Sequence, residues 1–148
     1  MSTLAKAIAL AAQAHGEQVD KAGEPYILHP LRMMQRLDDR AAQIVAVLHD
    51  VVEDTAITLE DLRAAGFATA VVDAVDCVTR RAAESYEQFI VRTQGNELAR
   101  QVKLADLEDN MDLKRISTLT AADLARLERY HRAWMQLTQQ AQPTAAEE

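Results

Sequence analysis

A single cysteine, Cys77, rules out an internal disulfide and fits a reducing compartment. Only four glycines and three prolines punctuate 148 residues, while alanine and leucine abound. That balance favours helices and argues against a sheet-rich fold. No stretch approaches the roughly 18 apolar residues that a membrane-spanning helix needs, so no membrane partner is expected. The opening MSTLAKAIALAAQAHGEQ is interrupted by Lys6, Gln13 and His15 and lacks a long apolar region followed by a cleavage site. It reads as a first helix and not as a secretory signal. Positive charge is in short supply too: the net charge of −7 argues against nucleic-acid binding. A small anionic ligand is still compatible, because a local basic cluster can outweigh the global field. What is present, 49% hydrophobic and 26% charged residues in 16.4 kDa, suits one soluble globular domain with a single core.

Local signals predict an all-α bundle of about eight helices. The first spans about residues 3–19. Residues 20–30, DKAGEPYILHP, read as a loop broken by Gly23 and two prolines. A short helix follows over residues 31–37. Asp38 or Asp39 then caps a helix running from Ala41 to Asp54. Thr58 caps TLEDLRAAG, with Gly66 as its stop. Val71, Val72, Val75 and Val78 give helical spacing within residues 67–80. Ser85 and Gln88 form a capping box, Asn96 caps a helix over about residues 97–113, and Thr120 caps the last, to about residue 140. Residues 1–140 are expected to form one domain and residues 141–148 a disordered tail.

The segment AAQIVAVLHDVVED carries the chemistry. Gln43 is its only polar residue before His49, so the helix is expected to be buried. Yet it holds His49 and Asp50 together, then Glu53 and Asp54 one turn on. An unpaired buried carboxylate is costly or shifts its pKa until neutral, so the pair needs a partner, and a metal ion is the simplest one. The four-residue spacing places His49 with Glu53, and Asp50 with Asp54, on one helix face. Further ligands must come from elsewhere. His29, set among Ile27, Leu28 and Leu31, and Asp106, set in VKLADLEDNMD, stand in unusually apolar surroundings. Two His and two Asp suit Mn or Fe better than structural zinc. The competing structural reading makes His49 a core histidine bonded to a carbonyl and Asp50 the partner of a buried Arg. His15 is assigned to the core or to a place behind a ligand. His131 is assigned to a packed stripe with Leu124, Leu127 and Trp134. Glu108, Asp109 and Asp112 read mostly as a solvated acidic face.

At these residues the chain resembles the hydrolase domain of the RelA/SpoT family, and most of all its small stand-alone alarmone hydrolases. The motifs AHGEQ, KAGEPYILHP, LHDVVEDT and KLADLEDNM occur in the family's order, over about residues 5–115. The resemblance implies an HD-domain helical bundle. It implies His29, His49, Asp50 and Asp106 as ligands of a divalent metal, manganese first, and Glu53 and Asp54 as the catalytic acidic pair. Lys21, Tyr86 and Asn110 match positions near the nucleotide.

The implied reaction is hydrolysis of the 3′-pyrophosphate of guanosine tetra- or pentaphosphate, giving GDP or GTP and pyrophosphate. The rivals are another nucleotide substrate, such as the 2′-phosphate of NADPH, and a non-catalytic regulatory module. The protein is expected in the cytoplasm with a nucleotide as its small-molecule partner, and a homo-oligomer is compatible with that. Phosphate contacts would come from Lys21, Arg80, Arg81, Lys103, Lys114 and Arg115. Two departures stand out: Asp20 and Asp112 occupy positions where long members often carry Arg, and are expected to loosen the hold on guanine and phosphate. The synthetase domain of the long members has no counterpart in these 148 residues.

Overall fold

The computed structural model describes residues 1–139, so the expected tail lies outside the described residues. Nine α-helices and one 3-10 turn follow each other, with no strand among the described residues beyond an isolated bridge between Val19 and Pro25. In order they are α1 (Leu4–His15), α2 (Leu28–Gln35), α3 (Arg40–Leu48), α4 (Val51–Asp54), α5 (Leu59–Ala64), α6 (Thr69–Cys77), α7 (Tyr86–Gln94), α8 (Glu97–Asn110) and α9 (Ala121–Gln139). The 3-10 turn covers Leu113–Arg115. The expectation of about eight helices holds if α3 and α4 are taken as one interrupted rod.

Helix α3 is the axis of the fold. Asp39 caps it, accepting a hydrogen bond from the Ala42 N–H at 3.0 Å. Ile44, Val45, Val47 and Leu48 are buried on all sides of it, between α1, α2, α6 and α8. Each such side chain contributes about 1.5–3 kcal/mol through burial. Gln43, the lone polar residue between Arg40 and His49, donates to the Leu37 carbonyl at 2.7 Å. Helix α1 presents Ala7, Ala11 and His15, whose four-residue spacing makes one buried face against α3. A second, smaller core of Phe89, Ile90, Leu107, Ala133 and Leu137 joins α7, α8 and α9.

Three boundaries depart from the sequence expectation. Helix α1 stops at His15, not near residue 19, because Gly16 takes φ 54 and its N–H closes on Ala12. Helix α2 starts three residues early and contains Leu28, His29 and Pro30. Proline costs nothing in a first turn, where its missing N–H has no helical partner. The rod expected over residues 41–54 is broken at Asp50, which leaves helical geometry with φ −103 and ψ 0. His131 is exposed and Leu124 largely so; the stripe that packs on α9 runs through Tyr130, Ala133, Trp134 and Leu137.

Candidate metal centre

The breaks and early starts converge on one place. Helix α2 brings His29 in its first turn, the end of α3 brings His49, and α8 brings Asp106. One ligand atom from each lies within 4.8 Å of the others, and all three residues are buried. His29 Nε2 stands 2.9 Å from Asp106 Oδ1, and the two imidazole rings are 5.3 Å apart. Asp50 stands one step out. Its Oδ2 lies 3.0 Å from His49 Nε2 and accepts the Tyr26 hydroxyl, but it does not join the 4.8 Å group. The break at Asp50 turns this carboxylate toward His49, which a continuous helix with adjacent side chains 100° apart does not do.

Each histidine has one nitrogen committed away from the cluster. His49 Nδ1 donates to the Ala46 carbonyl at 2.7 Å. His29 Nδ1 lies 2.6 Å from Asp109 Oδ2. The Nε2 atoms therefore face the carboxylates. His49 Nε2 is buried and finds no properly angled hydrogen-bond partner among the described residues, despite its nearness to Asp50.

Burial alone would pull the His49 ring down, but the charges of Asp50 and Asp106 overrule it and hold its pKa well above the ordinary value. The His29 pKa is raised in the same way: burial opposes, and the bonds to Asp106 and Asp109 prevail. The cluster is thus built to hold positive charge at the two Nε2 atoms, whether brought by protons or by a cation. This nitrogen and oxygen donor set, with one orphaned buried nitrogen, fits a divalent metal.

Asp106 is saturated with donors. Besides His29 it accepts from Asn110 at 3.0 Å and from Lys103 Nζ at 2.8 Å. Burial would push its pKa up, yet the Lys103 charge and the two histidines hold it well below the carboxylate range. Lys103 in turn lies over the Phe89 ring at 5.1 Å, its pKa raised by Asp106 against the cost of burial.

The cluster forms the floor of a cavity of about 530 Å³. Lys21, Tyr86 and Asn110 all line it, as does Glu53; Asp54 does not. Glu53 Oε1 accepts the Arg80 N–H at 3.2 Å, and its pKa is raised by partial burial and by the Asp50 charge. Asp54 is raised for the same two reasons, and its backbone carbonyl is held by Gln18 at 3.3 Å. Tyr86 has the Arg80 and Arg129 guanidinium groups over its ring, 5.9 and 5.1 Å from the centre. Its hydroxyl is buried with no hydrogen-bond partner among the described residues.

Of the cations expected at phosphates, Lys21, Arg80, Lys103 and Arg115 line the cavity, while Arg81 and Lys114 do not. Sequence reasoning missed Arg32, Arg126 and Arg129, which also line it. Helix α9 supplies the last two, and no motif marks them.

One sequence reading needs correction. Asp109 is not on a solvated face: it is fully buried between His29 and Arg32. Its spacing of three from Asp106 on α8 was the available signal. Asp20 and Asp112 line the cavity, and each also serves its own backbone. Asp20 Oδ1 accepts from Ala22 and Glu24 N–H at 2.9 and 3.0 Å, and Asp112 Oδ1 from Lys114 N–H at 3.3 Å. His15 is buried with Nδ1 3.1 Å from Gln18 and its ring 4.8 Å from Tyr26, so it stands behind the site as expected.

Known proteins resemble the chain in sequence and in fold. The HD domain family model matches residues 7–124. A guanosine-3′,5′-bis(diphosphate) 3′-pyrophosphohydrolase of Aquifex aeolicus is 36% identical over 118 residues, covering 72% of this chain and 17% of its own length. A protein of the same name from Vibrio cholerae is 32% identical, covering 75% and 18%. A GTP pyrophosphokinase of Myxococcus xanthus is 32% identical, covering 75% and 17%. The chain therefore spans less than a fifth of the length of these relatives. A solved structure of a metazoan ortholog of SpoT that hydrolyzes ppGpp superposes with a TM-score of 0.72 at 24% identity, covering 99% of this chain and 89% of that one, a likeness of fold. The chain belongs to the HD-domain family.

Proposed function

We propose that this chain is a metal-dependent phosphohydrolase that removes the 3′-pyrophosphate of guanosine tetra- or pentaphosphate, with Mn²⁺ as the metal. The observation that carries the reading is the convergence of His29, His49 and Asp106 at the floor of a cation-lined cavity. The names of the relatives from Aquifex aeolicus and Vibrio cholerae support the substrate. The reading takes residues 1–140 as one catalytic domain acting on a nucleotide in the cytoplasm.

His29, His49 and Asp106, with Asp50 completing the set, would hold the metal. A divalent ion held there would lower the pKa of a water and offset charge on phosphoryl oxygens. The remaining work falls to the chain. Asp109 and the Ala46 carbonyl keep both histidines presenting Nε2. Lys103 and Asn110 keep Asp106 ionised and oriented. Glu53, at the cavity wall with a raised pKa, takes a proton from the attacking water and returns it to the leaving group. Asp54, the other member of the acidic pair, lies outside the cavity lining and is the alternative base. Lys21, Arg115 and Arg129 bind the anionic substrate, Arg as a two-pronged donor. Tyr86, matched to a position near the nucleotide, lines the same cavity with the Arg80 and Arg129 cations at its ring.

A panel of guanosine tetraphosphate, NADPH and other nucleotides, assayed with Mn²⁺ and with the leaving group identified, tests this. Pyrophosphate released from guanosine tetraphosphate is the expected result. Orthophosphate released from NADPH, with none of that activity, would hand the site to the phosphatase reading.

A further inference from the structure

Helices α2 and α8 meet through two matched pairs, each three residues apart: His29 with Arg32 and Asp106 with Asp109. Asp106 meets His29 from the Nε2 side and Asp109 from the Nδ1 side, at 2.9 and 2.6 Å. The Asp109 carboxylate has no solvent exposure. Arg32 grips it with two N–H groups, Nε to Oδ1 at 2.8 Å and Nη2 to Oδ2 at 3.0 Å. Arg115 Nη2 lies 3.6 Å from the same Oδ2 and donates to the Asp109 backbone carbonyl at 3.4 Å.

We infer that Asp109 is a positioning residue that fixes the tautomer and orientation of His29, with Arg32 holding Asp109 in place. An ionised carboxylate only accepts hydrogen bonds, so the nitrogen facing it must carry the proton. Nε2 meets Asp106 at 2.9 Å; where a cation takes the place of a proton there, Asp109 keeps the ring's remaining proton on Nδ1 and Nε2 offers its lone pair to the cluster. Carboxylates that accept a histidine's second N–H play this part at metal sites in general. The two histidines reach the same end differently. His49 relies on a backbone carbonyl, which no side-chain substitution removes, whereas His29 depends wholly on Asp109. Arg32 answers the cost of burying an anion beside the site, which an unpaired carboxylate could not bear.

The inference rests on the metal reading and not on the identity of the nucleotide, so Mn²⁺ affinity is the readout. Titration of the full chain with Mn²⁺ should show Asp109→Asn binding about 10- to 100-fold more weakly than the unaltered protein. The amide can turn its NH₂ toward Nδ1 and force the proton onto Nε2. A second variant separates positioning from simple helix pairing. Arg32→Met with Asp109→Leu replaces the ion pair by apolar side chains, an exchange that folds often tolerate. It should keep the melting temperature of the chelated protein within a few degrees and still bind Mn²⁺ as poorly as the Asn variant. Mn²⁺ affinity restored in the double variant, or unchanged in Asp109→Asn, overturns the inference and leaves Asp109 as a helix-pairing residue. Long-range proton–nitrogen spectra of the unaltered, Zn²⁺-loaded protein need no variant. His29 should show a protonated Nδ1, and the opposite tautomer overturns the inference. No Mn²⁺ binding by the unaltered protein overturns the metal reading itself. Mn²⁺ binding without alarmone hydrolysis overturns the substrate alone.

Discussion

Asp106 and Glu53 carry opposite expectations for substitution. Asp106 is the shared acceptor of His29, Lys103 and Asn110, so its removal strands a buried ammonium group. Asp106→Ala should cost about 3–5 kcal/mol of stability, because one partner of a buried pair is left uncompensated. Asp106→Asn is the cleaner test, and should lose Mn²⁺ binding and activity together. Glu53→Gln should bind Mn²⁺ nearly normally and lose about 10²-fold or more in kcat, the expected loss of a general base. Full activity in Glu53→Gln would move that role to Asp54. Asp20 calls for a revised expectation. From sequence, Asp20→Arg looks like the return of a cation that would lower KM. Because Asp20 Oδ1 holds the N–H groups of Ala22 and Glu24, the change instead frees the turn that carries Lys21. A raised KM is expected, with kcat within a few-fold, since Lys21 is assigned to substrate binding and not to the reacting atoms.

Among the elements, caps set where the helices begin, and they were legible. Thr58, Ser85 and Asn96 all cap as their residue types and spacing suggest. Asp39→Ala removes the cap of α3 and should cost about 1 kcal/mol, read as a lower denaturation midpoint with an unchanged slope. The start of α7 is anchored by Glu84, whose carboxylate receives the Arg92 guanidinium at 2.8 and 3.0 Å. That bond chiefly lowers the Glu84 pKa from its ordinary 4.5 to about 2. A depressed folded pKa gives stability that is present above the ordinary value and lost as pH falls through the folded one. The stability gap between the unaltered protein and Glu84→Gln should therefore be complete at pH 7, shrink below about 4.5 and vanish near 2. A gap that ignores pH would mean that packing, not the ion pair, accounts for it. Where elements end or break was less legible. The turn at Asp50 lies inside an apolar run with no glycine or proline to announce it.

At the scale of the whole molecule, the three clustered side chains come from α2, α3 and α8, which also pack on one another. An ion held by all three ties those helices only in the folded state, so it stabilises by mass action. Chelation should lower the melting temperature and added Mn²⁺ should restore it, by about 2.7 kcal/mol at a hundredfold excess over Kd. An unchanged melting curve, with no metal found by elemental analysis, would defeat the metal reading. The cavity has a like dependence on distant parts. Its floor comes from α2, α3 and α8 in the large core, and its wall of Arg126 and Arg129 from α9 in the small one.

Composition and local pattern by themselves determined the helical class, the caps and the buried character of α3, and they marked His49 and Asp50 as polar residues out of place in it; the wider candidate set with His29 and Asp106 came with the family resemblance. All but that set is written in short-range spacing: few breakers, a cap before a periodic run, an apolar helix with an acid and an imidazole in it. Tertiary structure decided how those residues meet. It turned Asp50 toward His49 at a break, buried Asp109 behind His29, turned Asp20 inward to its own loop, and brought two arginines from the last helix over the cavity. The reason is that a charged residue reads alike in sequence whether it faces water or a partner 80 positions away. Only packing, by removing water from Asp109 and placing His29 and Arg32 against it, selects the second.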